Sequence, residues 1–115
     1  MLKVEFYVTE NGNICGFGIF GHAGYSEHGS DIVCAAVSSA AYMTVNTMTE
    51  VLHADVHAEI NDKLGIMKVN IDGSDISICA DVLHGLKLHL FLLEDMYPDN
   101  IEVNYVEVES DYVND

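Results

Sequence analysis

The feature that most constrains the fold is the way apolar residues are spaced, because their period changes twice along the chain. Residues 2–8 alternate between apolar and polar side chains, as a half-buried strand requires. Asn11-Gly12 then favours a tight hairpin turn, since both residues readily adopt positive φ angles. A second strand follows at about residues 14–20, so the chain is predicted to open with a β-hairpin.

A helix is predicted after this hairpin. Residues 21–30 contain three glycines and no apolar period, which is typical of a loop. Ser30 or Asp31 is then the expected N-cap of a helix that continues to about Leu52. Its inward face is predicted from apolar residues spaced by three and four, namely Val37, Ala41, Val45, Met48 and Leu52.

The second half of the chain repeats this outline. Residues 56–60 and 66–71 predict another hairpin, and Ser74 or Asp75 is the expected cap of a second helix. Pro98 bars continuation of that helix, and residues 101–105 predict a last strand. The predicted inward face of the second helix comprises Ile78, Val82, Leu86, Leu90, Leu93 and Tyr97.

The predicted order of elements is therefore β-β-α-β-β-α-β. Two hairpins and a final strand favour an α+β fold, in which a mostly antiparallel sheet packs against two helices. The 115 residues contain no linker or shift in composition, so we expect a single domain over residues 1–115.

The net charge of the chain favours some classes of binding partner and disfavours others. Nineteen acidic residues against four basic ones give a formal charge of −15, which disfavours direct nucleic-acid binding and favours a basic partner. No uninterrupted apolar run approaches the ~20 residues that span a bilayer, so no membrane association is expected. Residues 1–6 lack the apolar core of a signal peptide, which makes the cytoplasm the expected compartment.

Cysteine supplies the candidate chemistry. The three cysteines, at positions 15, 34 and 79, are widely spaced and do not resemble a disulfide framework or a zinc site. No metal and no cofactor are predicted, because His53 and His57 share a spacing of four but the helix is expected to end between them.

His22 and Cys34 form the most promising pair. The histidine leaves the end of a strand, and the cysteine is predicted to enter the first turn of a helix, where exposed N–H groups favour a thiolate. A neighbouring imidazole could activate the thiol and later protonate the leaving amine. Asp31 would oppose thiolate formation, unless it caps the helix or orients the histidine. His28 and Cys79 are the alternative base and the alternative nucleophile.

The loop between base and nucleophile is rich in glycine. Gly21, Gly24 and Gly29 could let it act as a lid or substrate gate. Gly16 and Gly18 lie two apart on one face of the second strand, which indicates that a neighbouring backbone or a ligand comes close there. These glycines therefore also suggest that a substrate extends alongside the second strand.

Two segments carry a resemblance to a known family. GHAGY at residues 21–25 and DIVCAAVS at residues 31–38, with Gly29 between them, resemble the ribosomal-processing cysteine proteases of the Prp family. The resemblance implies that His22 and Cys34 are catalytic and that Ser38, one helical turn after the cysteine, supports the site.

The same resemblance implies a substrate and an assembly. Family members remove a short N-terminal extension from large-subunit ribosomal protein twenty-seven, and they are dimers. A basic ribosomal precursor would suit a chain of charge −15. The alternatives are a non-catalytic acidic module that binds a basic ribosomal partner and a thiol redox enzyme that uses Cys34.

Overall fold

A computed structural model describes the backbone of residues 1–21 and 28–109, and the side chains of residues 1–21 and 32–109. The strands are β1 (Leu2–Val8), β2 (Ile14–Phe20), β3 (Val56–Asn61), β4 (Ile66–Ile71) and β5 (Ile101–Glu107). The helices are α1 (His28–Asn46), which runs into a π-helical turn (Thr47–Val51), and α2 (Ile76–Met96), which follows a 3-10 turn (Gly73–Asp75). The predicted order of elements is confirmed.

The five strands form one sheet in the order β3-β4-β2-β1-β5. Three neighbouring pairs are antiparallel, and only β1 and β5 are parallel. The parallel pair follows from the connection, because α2 carries the chain back along the sheet before β5 begins. The predicted mostly antiparallel sheet is confirmed, and β2 lies in its interior, while β3 and β5 form its edges.

The core lies between the helices and one face of this sheet. Val4 and Phe6 on β1 and Phe17 on β2 are fully buried, whereas Lys3, on the opposite face of β1, is exposed. The rings of Phe6 and Phe17 meet with their centroids 6.3 Å apart. This packing gives the hairpin and the helices a common apolar layer, which holds the ends of β2 and α1 in fixed relative positions.

The inward face of α1 was predicted well, and that of α2 only in part. Val37, Ala41 and Met48 are buried, while Ile78 is 51% exposed. The predicted α2 face advances by four residues at three consecutive steps, and each step drifts about 40° around a helix of 3.6 residues per turn. The observed face alternates steps of three and four and so remains on one side: Ile76, Cys79, Leu83, Leu86, Leu90 and Leu93.

The start of α1 differs from the prediction. The helix begins at His28, so Gly29 and Ser30 are helical and neither Ser30 nor Asp31 is its N-cap. The segment has no apolar period in its first turn, and the sequence therefore gave no signal that would have placed this boundary.

The glycines of β2 accommodate side chains of the sheet itself. A Cβ atom at Gly18 would lie 2.5 Å from the hydroxyl oxygen of Tyr7 and 2.6 Å from the Phe20 ring. At Gly16 it would meet the carbonyl oxygen of Val69 on β4. The predicted close approach is thus real, but neighbouring strands occupy both sides of β2. A substrate strand cannot pair with it, and that hypothesis is wrong.

Two helical segments are long and apolar enough to span a membrane by length and composition, Ile32–Val51 and Gly73–Met96. The prediction that no apolar segment is long enough to span a bilayer therefore holds only for runs that polar residues do not interrupt. Both segments contribute buried side chains to the core described above, as the core helices of globular proteins do.

Candidate active site

Cys34 lies on α1 and faces a cleft between that helix and the sheet. Ser38 and Tyr42 follow it at spacings of four, so the three side chains form one stripe along the helix. The thiol is half-buried. The stripe therefore places a thiol, a hydroxyl and an aromatic ring along one wall of a single cleft.

The cleft has a volume of about 150 Å³. Its floor is apolar and comes from the helix-facing side of the sheet, and its far rim is the turn between β3 and β4. The sheet and turn residues that line it are Leu2, Ile19, Ile60, Asn61, Asp62, Gly65, Ile66 and Met67. An apolar floor beside a thiol, with polar groups at the rim, suits an extended peptide that buries one or two side chains.

Cys34 is the seventh residue of α1, so the prediction that it lies in the first turn is wrong. Only the first four N–H groups of an α-helix lack partners within the helix, and the effect of the helix dipole fades after the first turn. The backbone N–H of Cys34 is committed to the helix. The end of the helix therefore contributes little to stabilising a thiolate at Cys34.

Gly21 brings the base segment to the same cleft. It is a lining residue, its φ is +85°, and its N–H donates a hydrogen bond of 2.8 Å to the carbonyl oxygen of Gly65. This bond ties the end of β2 to the turn between β3 and β4. The chain therefore leaves β2 in a defined direction at the residue that precedes His22.

The remaining predicted site residues divide into two groups. Gly29 is the second residue of α1. His22 and Gly24 lie outside the described residues, as do the side chains of Asp31 and His28. The structure thus brings Cys34, Ser38 and Gly21 together, and the catalytic or supporting roles of all the predicted site residues stay predictions.

The other two cysteines are poor nucleophiles. Cys15 is buried on β2, where its Sγ donates to the carbonyl oxygen of Tyr7 at 3.4 Å, and burial raises the pKa of its thiol. Cys79 is fully buried on α2; burial raises its pKa, and the carboxylate of Asp75 raises it further. Because the thiolate is the reactive form, these environments suppress reactivity and weaken the case for Cys79.

The histidine pair at 53 and 57 does not share a helix. His53 follows the π-helical turn with a φ of +56°, and His57 lies on β3. Their spacing of four therefore does not place them on one helix face, which the metal pair would have required. Among the described residues, no group of three or more candidate ligands could hold a metal ion.

Sequence reasoning missed the turn between β3 and β4. Asn61, Asp62 and Gly65 are distant from Cys34 along the chain, and only the strand order brings them to the cleft. Tyr42 could have been found, because it is eight residues after Cys34 and so shares its helix face.

Comparison with known proteins identifies a family of cysteine proteases. The family model described as "Cysteine protease Prp" matches residues 1–102. The Prp protease of Staphylococcus aureus (strain Mu50) is 26% identical over 105 residues, which cover 91% of this chain and 99% of that protein. The Prp protease of Bacillus subtilis (strain 168) is 24% identical over 107 residues, which cover 90% of this chain and 96% of that protein.

Solved structures share the fold. The S. aureus Prp protease in complex with a substrate peptide superposes with a TM-score of 0.84 at 24% identity, over 92% of this chain and all of that one. The same protease with a covalently linked product peptide gives a TM-score of 0.82 at 25% identity, again over 92% of this chain and all of that one. The match of the family model, which extends over four strands, both helices and the first two residues of β5, shows that the chain belongs to the Prp family of cysteine proteases.

Proposed function

We propose that this protease removes the N-terminal extension of large-subunit ribosomal protein twenty-seven, with Cys34 as nucleophile and His22 as base. The observation that carries the assignment of the nucleophile is the contrast among the three thiols. Cys34 lines an open cleft, whereas Cys15 and Cys79 are buried with raised pKa values. The S. aureus relative with a covalently linked product peptide supports a covalent route.

The chemistry runs in two stages. His22 accepts the thiol proton as Cys34 Sγ attacks the scissile carbonyl carbon, and the resulting tetrahedral intermediate carries the negative charge on the former carbonyl oxygen. The C–N bond then breaks as the imidazolium protonates the leaving amine, which leaves a thioester on Cys34. Water, deprotonated by His22, attacks the thioester; the C–S bond breaks and the product is released as a carboxylic acid.

Ser38 and Asp31 have supporting parts in this proposal. Ser38 lies one helical turn after Cys34 on the wall of the cleft, where its hydroxyl can contact substrate or thiol. Asp31, the fourth residue of α1, would orient His22. Gly21 and Gly24 would shape the substrate-binding loop, and Gly29, the second residue of α1, would lie where the helix begins.

The proposed setting is cytoplasmic, with a basic ribosomal precursor as partner. A charge of −15 speeds the encounter with a basic protein and opposes direct binding to ribosomal RNA. This steering weakens as salt screens the charges.

A homodimer is part of the proposal. Residues 32–49 of the helical layer include no charged side chain, and Met43 on α1 and Leu88 and Leu92 on α2 are each more than half exposed. Two chains of charge −15 repel each other least where their surfaces are uncharged, so these helix surfaces are the favoured meeting place. Sedimentation analysis of wild type and Leu92→Glu would test it; a wild-type monomer at all concentrations would reject the dimer.

The deciding experiment is cleavage of the ribosomal precursor by wild type, Cys34→Ala and His22→Ala. We expect wild type to shorten the precursor and both folded variants to leave it whole. His89→Ala, on the exposed surface of α2, is the matched control and should retain activity. Binding without cleavage by wild type would instead favour the acidic binding module, and thiol oxidation without cleavage would favour the redox enzyme.

A further inference from the structure

The free edge of β3 adjoins the Cys34 cleft. Within the described sheet, β3 pairs with β4 alone, so its other side presents backbone N–H and C=O groups at alternate residues. Its last residues, Ile60 and Asn61, also line the cleft. The nucleophile therefore lies beside an unoccupied strand position of the sheet.

The helix-facing side of β3 is only partly covered by the described residues. Val56, Ala58 and Ile60 oppose buried residues of β4, which places them on the core side of the sheet. Val56 packs against the core, whereas Ala58 is exposed and Ile60 is 48% exposed. A strand added here would turn alternate side chains toward the cleft beneath α1 and the others toward solvent.

The charge of this edge indicates what would bind. Asp55, Glu59 and Asp62 are exposed along β3 and its flanks. Glu59 lies opposite Lys68 of β4, and Lys63 is exposed in the turn, so the excess of negative charge is small. Asp62 is the one charged residue in the described lining of the cleft. Carboxylates along a strand edge favour an extended segment with positive side chains. β5, the other edge, lies four strand spacings away, roughly 19 Å, which is too far to hold a peptide at Cys34.

We propose that the substrate binds as an added strand on the free edge of β3, in the form of an extended, basic peptide segment whose main chain continues into the Cys34 cleft. This inference rests on the proposed function only for the identity of the peptide. Main-chain hydrogen bonds to β3 supply affinity and register, and the apolar floor together with Asp62 selects side chains.

The first test is hydrogen exchange on the folded Cys34→Ala protein with a peptide that spans the proposed cleavage junction. We expect slower exchange at alternate backbone amides of β3 and unchanged exchange in β5. Binding that protects β5 instead, or leaves β3 unprotected, would overturn the inference. Because this readout needs no catalysis, β3 protection without cleavage by wild type would reject the proposed function and leave the inference standing.

The second test is a scan of the same peptide with single N-methyl groups, assayed with wild type. Each methyl removes one N–H donor and blocks pairing at that residue. We expect kcat/KM to fall about tenfold at every second position and to change little at the positions between, since one lost hydrogen bond and a steric clash correspond to about 1.4 kcal/mol. A profile without this alternation would contradict the added strand.

The third test separates local charge from net charge. Glu59→Gln at the β3 edge and Glu107→Gln at the β5 edge each remove one negative charge from an exposed position. We expect Glu59→Gln to raise KM about two- to threefold for a peptide with lysines, an effect of less than about 1 kcal/mol, and to leave KM unchanged when those lysines are replaced by glutamine. Equal effects of the two variants would assign the attraction to net charge and remove the specific role of the edge.

Discussion

The two ends of the sheet each carry a depression, and they differ in size and in chemistry. The Cys34 cleft, at the end where β2 stops, holds about 150 Å³. At the end with the β1–β2 turn, a groove of about 1100 Å³ lies between that turn and α2, and its polar residues include Ser77, Asp81 and His84. The larger cavity has no cysteine in its described lining, whereas the smaller cleft contains the Cys34 thiol. The presence of a candidate nucleophile, and not the cavity volume, therefore identifies the candidate site.

Two glycines, one at each end of the sheet, can be compared in the same way. Gly21 and Gly12 have nearly equal positive φ angles of +85° and +84°, but only Gly21 borders the Cys34 cleft. Gly12 lies in the β1–β2 turn, where a Cβ atom would meet nothing within 4 Å. The pair allows backbone strain to be separated from a role at the site.

The largest expected effect on kcat/KM comes from removing a reactive side chain from the Cys34 cleft, compared with removing one from the larger groove at the other end of the sheet. Cys34→Ala should reduce kcat/KM for precursor cleavage by about 10³-fold or more, because no other group replaces the attacking thiolate. Ser77→Ala and His84→Ala, in the large groove, should leave kcat/KM within about twofold of wild type, as expected for surface substitutions remote from the chemistry. Loss of activity in His84→Ala with Cys34→Ala still active would invert the comparison.

The next largest effect on kcat/KM distinguishes Gly21 from Gly12. Gly21→Ala and Gly12→Ala should each lower the free energy of unfolding by about 1–2 kcal/mol, since alanine disfavours a left-handed backbone. Only Gly21→Ala should also reduce kcat/KM, by about tenfold, because a shift at Gly21 displaces the following histidine and the bond to Gly65. Equal activities in the two variants, measured beside their denaturation curves, would remove the positioning role of Gly21.

A smaller effect concerns thiol reactivity. Iodoacetamide should modify Cys34 in the native protein, while Cys15 and Cys79 react only after unfolding because burial raises their pKa values. Peptide mapping by mass spectrometry at neutral pH measures the three rates. If Cys79 is labelled in the native protein as fast as Cys34, Cys79 again becomes a candidate for the nucleophile.

The smallest effect is the pH dependence of stability. A buried thiol with a raised pKa stays protonated in the folded state after the unfolded chain has begun to ionise near its ordinary value of 9.0. The contribution of this thiol to the free energy of unfolding is therefore constant below pH 9. It falls as the pH rises above 9, by less than about 1.4 kcal/mol per pH unit for one thiol. Cys79→Ala should show a shallower decline above pH 9 than wild type; parallel declines would contradict the raised pKa of Cys79.

Local patterns predicted the strands and the positions of the helices, because alternation and helical spacing are properties of neighbouring residues. These local patterns did not predict features that depend on contacts between residues far apart in the sequence. That β3 is an edge and that Asp62 borders the cleft depend on strand order, and the partner of Gly18 is Tyr7 on an adjacent strand. The start of α1 was missed for a different reason, since its first turn carries no apolar residue that signals a helix.

The most direct test of the account is active-site labelling with a peptide chloromethyl ketone whose sequence matches the residues before the proposed cleavage junction. The account predicts loss of activity with one equivalent of label, located on Cys34 by peptide mapping, and protection by excess substrate peptide. Inactivation with the label on Cys79 or Cys15, or full activity with Cys34 labelled, would contradict the assignment of Cys34 as the nucleophile.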